Sequence, residues 1–269
     1  FLAPLSQERG LAPRSINQAL SALALFFREI LGRDELADMP RATEDDAERT
    51  ILSHQEVTLL LDQLSGKYRL LASLMYGCGL RLMESHRLRV RHIDFDHQRI
   101  IVPHAADTHR RQVVLPQRLT ANLRRQVSRV AAQLRADRKR GAGWAPLPPE
   151  LTKSDSEAGY ALDWQFAFPA TRWSKDPATK RVGRKHLSPT ATQRRVRQAA
   201  QMAGIGQPVT CRTLRTAFAT HMLDAGYDLQ IVQTLMGHKD PRSTRSYAQG
   251  LTDLGPTVTS PLDRRLNGH

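Results

Sequence analysis

Apolar residues recur at three- and four-residue steps through Ile16, Leu20, Leu23, Phe27 and Ile30, the spacing of one helix face. They predict an amphipathic helix over residues 14–31, opened near Pro13 and Ser15 and ended by Gly32. From Asp34 to Arg49 the pattern gives way to acidic and polar residues around Pro40, the composition of a solvated linker. Periodicity resumes after Ser53, where Ser53 and Glu56 have the spacing of a capping box ahead of Val57, Leu60, Leu61 and Leu64. A second helix is predicted from Tyr68 to Tyr76. After the break at Gly77-Cys78-Gly79, a short helix carrying Arg81 and Glu84 begins at Leu80.

The period then changes to alternation. Ile93 and Phe95 with Ile100, Ile101 and Val102 predict a strand pair turning near Asp96-His97, and Val113 to Leu115 a third strand ended by Pro116. The polar loop between them holds His104, His109, Arg110 and Arg111. A long helix over 117–140 sets Leu119, Leu123, Val127, Val130 and Leu134 inward and a run of arginines outward. Residues 141–185 lose all regular period and contain Trp144, Trp164 and Trp173, the pattern of a functional insertion. A helix over 188–204 then turns Val196, Ala199, Ala200 and Met202 inward, leaving Arg194, Arg195 and Arg197 for a partner. The predicted fold is mainly α with a small antiparallel sheet.

Charge narrows the partner. The 269 residues carry 40 Lys and Arg against 26 Asp and Glu, a formal net charge of +14, which fits a polyanion such as DNA or RNA. The longest apolar stretch, Leu70 to Leu80, is far short of the roughly 20 residues that span a bilayer, so no membrane partner is expected. The two cysteines, Cys78 and Cys211, have neither disulfide-framework nor metal-ligand spacing and read as buried small residues of a reducing compartment. The chain begins at Phe1 rather than methionine, and its first helix reads as the end of a helical unit that extends upstream.

Candidate chemistry concentrates between Cys211 and Gly250. Arg212 and Arg215 lie one helical turn apart and can address one anion. His238 follows Gly237, which breaks the helix after Ile231, Val232 and Leu235, and Asp240-Pro241 restarts a helix that carries Tyr247. A phenol beside guanidinium groups and an imidazole suits attack on a phosphate; the same spacing also suits a basic helical domain with a surface tyrosine. The tryptophans of the insertion suit base stacking or a core.

Several segments together resemble the tyrosine recombinases and, among them, the integron integrases: residues 15–23, Tyr76-Gly-Cys-Gly-Leu-Arg-Leu-Met-Glu84, Thr210-Cys-Arg-Thr-Leu-Arg215, Phe218-Ala-Thr-His221, Leu235-Met-Gly-His238, Tyr247 and Ser260-Pro-Leu-Asp-Arg264. The resemblance implies part of a helical core-binding domain over 1–33, a linker over 34–50 and a catalytic domain over 51–269. Within the latter, 141–187 corresponds to the integron-type insertion and 251–269 to the tail. It implies cassette integration and excision, with Tyr247 attacking a scissile phosphate to give a 3′-phosphotyrosyl link. Arg81 and Arg215 would bind the non-bridging oxygens, His238 would assist, and Glu84 would support the first arginine. No metal or cofactor is called for. Trp164, Lys185 and His186 would grip bases bulging from a folded single strand, Arg194 and Arg197 would contact DNA, and protomers would assemble as a tetramer on DNA in a bacterial-type cytoplasm.

Two positions depart from that pattern. Arg212 stands where the family has a histidine, and a guanidinium cannot accept a proton at neutral pH. The strand–strand loop, residues 105–111, has no lysine to act as general acid, leaving His109, or else His104, as its replacement. The competing expectation is therefore a degenerate integrase that binds DNA with weak or no cleavage. A type IB topoisomerase shares the tyrosine chemistry, but the insertion and the tail argue against it.

Overall fold

The computed structural model describes residues 11–34, 36, 39–41, 51–103, 111–148, 151, 157–177, 179–237 and 258–264. The chain divides into two compact units, residues 1–49 and 50–269. In the first, helix α1 (Pro13–Leu31) starts with proline in its first turn and ends at Gly32, whose φ of 61° is the left-handed cap expected there.

The second unit is built around a helix buried on nearly every side. Ser53 and Glu56 form the expected capping box, Ser53 Oγ accepting from the Glu56 amide at 3.2 Å and Glu56 Oε2 from the Ser53 amide at 2.8 Å; helix α2 (His54–Asp62) follows. Helix α3 (Gly66–Gly77) has every residue from Leu70 to Gly77 buried, which is why it lacks a clean amphipathic stripe. It packs against α2, a short helix α4 (Leu82–His86), a long helix α5 (Gln117–Lys139), helix α6 (Pro189–Met202) and helix α7 (Cys211–Asp224). Helix α8 (Leu229–Met236) closes over α7. Fully buried side chains such as Leu71, Leu74, Leu123 and Leu214 each contribute about 1.5–3 kcal/mol to this core. Both cysteines are free and buried.

Strands β1 (Ile93–Asp94), β2 (Arg99–Val102) and β3 (Arg111–Val114) form an antiparallel sheet in sequence order, with Ile93 opposite Ile100 and Ile100 opposite Val113. The mainly helical fold with its small antiparallel sheet is the one the sequence pattern predicts. One inward position is different. Met202 is 60% exposed, because as the last residue of α6 it lies well off the Val196, Ala199 and Ala200 face. Thr192 takes the inward place, its hydroxyl 2.9 Å from His86 Nε2.

The segment after α5 is held down by side chains rather than by regular structure. Strands β4 (Ser174–Lys175) and β5 (Val182–Gly183) form its short ladder. Asp137 on α5 accepts from Arg184 Nε at 2.6 Å and Trp173 Nε1 at 2.9 Å, and Gln126 Nε2 donates to the Ala167 carbonyl at 2.9 Å. Trp144, Phe166 and Phe168 are buried, Phe168 completely. Residues 258–264 also pack onto this unit. Ser260 Oγ donates to the Gly77 carbonyl at 2.6 Å, and the Asp263 carboxylate accepts from the first two amides of α5, at 2.7 and 3.0 Å. A carboxylate there satisfies orphan donors at the positive end of the helix.

Candidate active site

The site forms where the α3–α4 turn, the start of β3, α7 and the end of α8 converge. Gly79, with φ of 62°, makes the turn, and a Cβ there would lie 2.6 Å from the Phe218 ring, so α7 can approach only a glycine. Arg81 is the N-cap residue of α4, and its amide donates to Glu84 Oε2 at 2.6 Å, as the N3 carboxylate of a helix start does. Its Nη1 reaches Glu84 Oε1 at 2.8 Å.

Glu84 is the hub. Arg111 grips it with both terminal nitrogens, Nη1 to Oε1 and Nη2 to Oε2, each at 2.7 Å, and Arg215 Nη1 lies 3.8 Å from Oε2. Burial alone would raise the Glu84 carboxyl, but the hydrogen bonds and charge of Arg111, and then of Arg81, outweigh it and hold it at about 2. Arg215 is 7% exposed. Burial, and then the nearby charges of Arg81 and Arg111, bring its guanidinium down to about 10, so it remains charged at neutral pH.

The same three arginines close the C-terminus of α8. Arg111 Nε donates to the Leu235 carbonyl at 3.0 Å, Arg215 Nη2 to the Met236 carbonyl at 2.5 Å and Arg81 Nη2 to the Gly237 carbonyl at 2.6 Å. Arg215 Nη1 also donates to the Gly79 carbonyl at 2.6 Å. Terminal helix carbonyls lack intrahelical partners and carry partial negative charge, so cations are favoured there. Gly237 terminates α8 with φ of 60°, and a Cβ on it would lie 3.0 Å from Arg111 Cδ. The clamp therefore fixes the backbone immediately before position 238.

Arg81, Arg215 and Glu84 are thus brought together. Arg212 is exposed on the first turn of α7, and its charge acts on Arg215 from outside the cluster. Arg194 and Arg197 are exposed on α6. Trp164 is half-buried, with the Arg91 guanidinium 4.2 Å and that of Arg89 5.4 Å from its ring centre. Lys185 is exposed, whereas His186 is half-buried, its ring edge-on to Phe166 at 5.6 Å and its Nδ1 2.9 Å from the Leu187 carbonyl. His109, His238 and Tyr247, like His104, lie outside the described residues.

Arg111 was missed as a site residue. A signal was available: Arg111 lies two residues before Val113 on one strand, so both share the core-facing side, where a charge requires a partner. Among the described residues no helix is long and apolar enough to cross a membrane, and no three His, Cys, Asp or Glu side chains group so as to hold a metal ion.

Comparison with known proteins agrees with this architecture. The model of the phage integrase family matches residues 43–252, a span that includes His238 and Tyr247. An integrase/recombinase of Escherichia coli is 37% identical over 265 residues, covering 98% of this chain and 79% of that protein. The tyrosine recombinase XerC of Ralstonia pickettii (strain 12J) is 30% identical over 263 residues, covering 88% and 70%. The fold is that of the Tn1549 transposon integrase solved with transposon right end DNA, with a TM-score of 0.62 at 19% identity over 90% of this chain and 76% of that one. Family match and near full-length identity together place the chain in the phage integrase family of tyrosine recombinases.

Proposed function

We propose that this protein is a site-specific DNA recombinase of the integron type, which breaks and rejoins DNA strands through Tyr247 without a metal ion. The observation that carries this reading is the cluster of Arg81, Arg111 and Arg215 around Glu84, three cations against one carboxylate. Its net charge of about two positive units matches the two negative charges of the pentavalent phosphorane that a phosphodiester monoanion becomes when a phenolate attacks it. Preorganised guanidinium groups stabilise that charge without reorganising at the moment of reaction.

In this reading the Tyr247 phenol gives up its proton to solvent and its oxygen bonds to phosphorus, the bond to the 5′-oxygen breaks, and a general acid protonates the departing oxygen. His109 is assigned that proton. Arg81 and Arg215 hold the non-bridging oxygens, His238 hydrogen-bonds the phosphate or orients Tyr247, and Arg212 donates to the phosphate in place of a histidine. Glu84 supports both arginines. A 5′-hydroxyl from a second strand then reverses the step, conserving the bond energy.

Duplex DNA is the partner, with Arg194 and Arg197 on α6 meeting phosphates. A relative solved with DNA supports that assignment. The insertion at 141–187 supports the integron type, with Trp164, Lys185 and His186 gripping bases that leave a folded single strand. Residues 1–33 belong to a helical core-binding domain, joined by a linker at 34–50 to the catalytic domain at 51–269, and four protomers assemble on DNA.

A nicked suicide duplex tests the reading. The wild-type protein should form a covalent protein–DNA adduct that persists in EDTA, and Tyr247→Phe should form none. DNA binding without any adduct would contradict it and favour a DNA-binding protein that has lost cleavage.

A further inference from the structure

Arg111 is given no contact with the phosphate in the proposed chemistry, yet no other arginine of the described site makes as many side-chain hydrogen bonds. Each of its three nitrogens donates to a protein acceptor, two to the Glu84 carboxylate and one to the Leu235 carbonyl. The guanidinium is thereby fixed in a planar fork that a lysine cannot reproduce. Its side chain is 15% exposed, against 44% for Arg81, so Arg81 presents itself to a substrate and Arg111 stays behind it.

Its position in the chain matters as much as its bonds. Arg111 opens β3, two residues after His109 in the sequence. It reaches across to α4 through Glu84 and to the Leu235 carbonyl in the last turn of α8, three residues before His238 in the sequence. One side chain thus ties the start of β3 to α4 and to the end of α8.

We propose that Arg111 is a positioning residue of the cleavage centre, setting Arg81 and Arg215 through Glu84 and the end of α8 rather than touching the phosphate. This rests on the recombinase reading above. Without Arg111, Glu84 keeps hydrogen bonds from Arg81 alone, with Arg215 3.8 Å away, and the Leu235 carbonyl loses its side-chain donor. Arg81 and Arg215 are then free to shift, and a displacement of about 1 Å at a reacting centre costs on the order of 100-fold in rate.

The test compares scissile phosphodiester with scissile methylphosphonate, which has no charge to neutralise, in nicked duplexes under single-turnover conditions. Arg111→Ala should slow adduct formation about 100-fold on the phosphodiester and less than about 10-fold on the methylphosphonate. Affinity for the duplex should stay within about twofold, and Arg111→Lys should recover part of the loss by restoring the charge without the fork. An equal loss on both substrates, or no loss on either, overturns the proposal. A second arm does not depend on cleavage: the side-chain Nε–H resonances of Arg81 and Arg215 should shift and exchange faster in Arg111→Ala, while the Trp144 indole signal stays in place. Unchanged arginine resonances overturn the assignment. If the wild-type protein forms no adduct, the recombinase reading fails, and these resonances still decide whether Arg111 sets the two arginines.

Discussion

Replacing Glu84 by glutamine removes the carboxylate charge that the three guanidinium groups share and leaves the side chain's shape nearly unchanged. The size of the effect follows from the site. The carboxyl is held at about 2 against an ordinary value of 4.5, and its side chain is 17% exposed, so solvent screens it little. At about 1.4 kcal/mol per pKa unit, the ionised form contributes on the order of 3 kcal/mol to stability. Because the folded value is depressed, that contribution is complete above pH 4.5 and is lost as the pH falls toward 2. Urea denaturation followed by tryptophan fluorescence should find Glu84→Gln less stable than wild type by about 3 kcal/mol at pH 7, in the range of a broken buried pair. The gap should narrow by about 1.4 kcal/mol for each unit below pH 4.5. A gap of the same size at pH 7 and pH 3.5 would refute the reasoning, since it would mean that the charge of Glu84 is not what holds the arginines.

Gly237→Ala places a Cβ at φ of 60° and 3.0 Å from Arg111, and should cost about 1–2 kcal/mol of stability and slow adduct formation, read by denaturation and single-turnover cleavage. Arg125 and Arg129 are exposed on α5; replacing both by alanine should reduce the slope of log affinity against log salt by up to about 1.8 if they meet phosphates, and leave it unchanged if that face is only solvated. Arg212→His restores a group able to accept a proton and should raise the cleavage rate above neutral pH, where the imidazole is unprotonated, with little change in duplex affinity; a pH–rate profile reads it directly.

Much of the fold was legible because periodicity and punctuation agreed. The α2 capping box, the Gly32 and Gly237 stops, the three strands and the long α5 each rest on local signals that packing did not override. Met202 shows the limit: a three-residue step at a helix end does not establish burial. The segment from 141 to 187 was opaque for a physical reason. Its order comes from polar anchors such as Asp137 with Arg184 and Trp173, and Gln165 with the Gly159 carbonyl, which have no period to read. In the site, Arg81, Arg215 and Glu84 stood out by spacing and resemblance. Arg111 did not, because its partner Glu84 lies 27 residues away and only strand pairing turns the guanidinium inward. Nor was the capping of α8 by three arginines visible, since it joins residues from four elements.

The central claim is that the buried guanidinium of Arg215, held with Arg81 around Glu84, neutralises the phosphate that Tyr247 attacks. Single-turnover adduct formation by Arg215→Ala, measured beside duplex affinity, tests it most directly. The rate should fall by about 100-fold or more while affinity changes by less than about tenfold, because the interaction strengthens as charge develops. A rate that stays near wild type, or a loss confined to affinity, would contradict it.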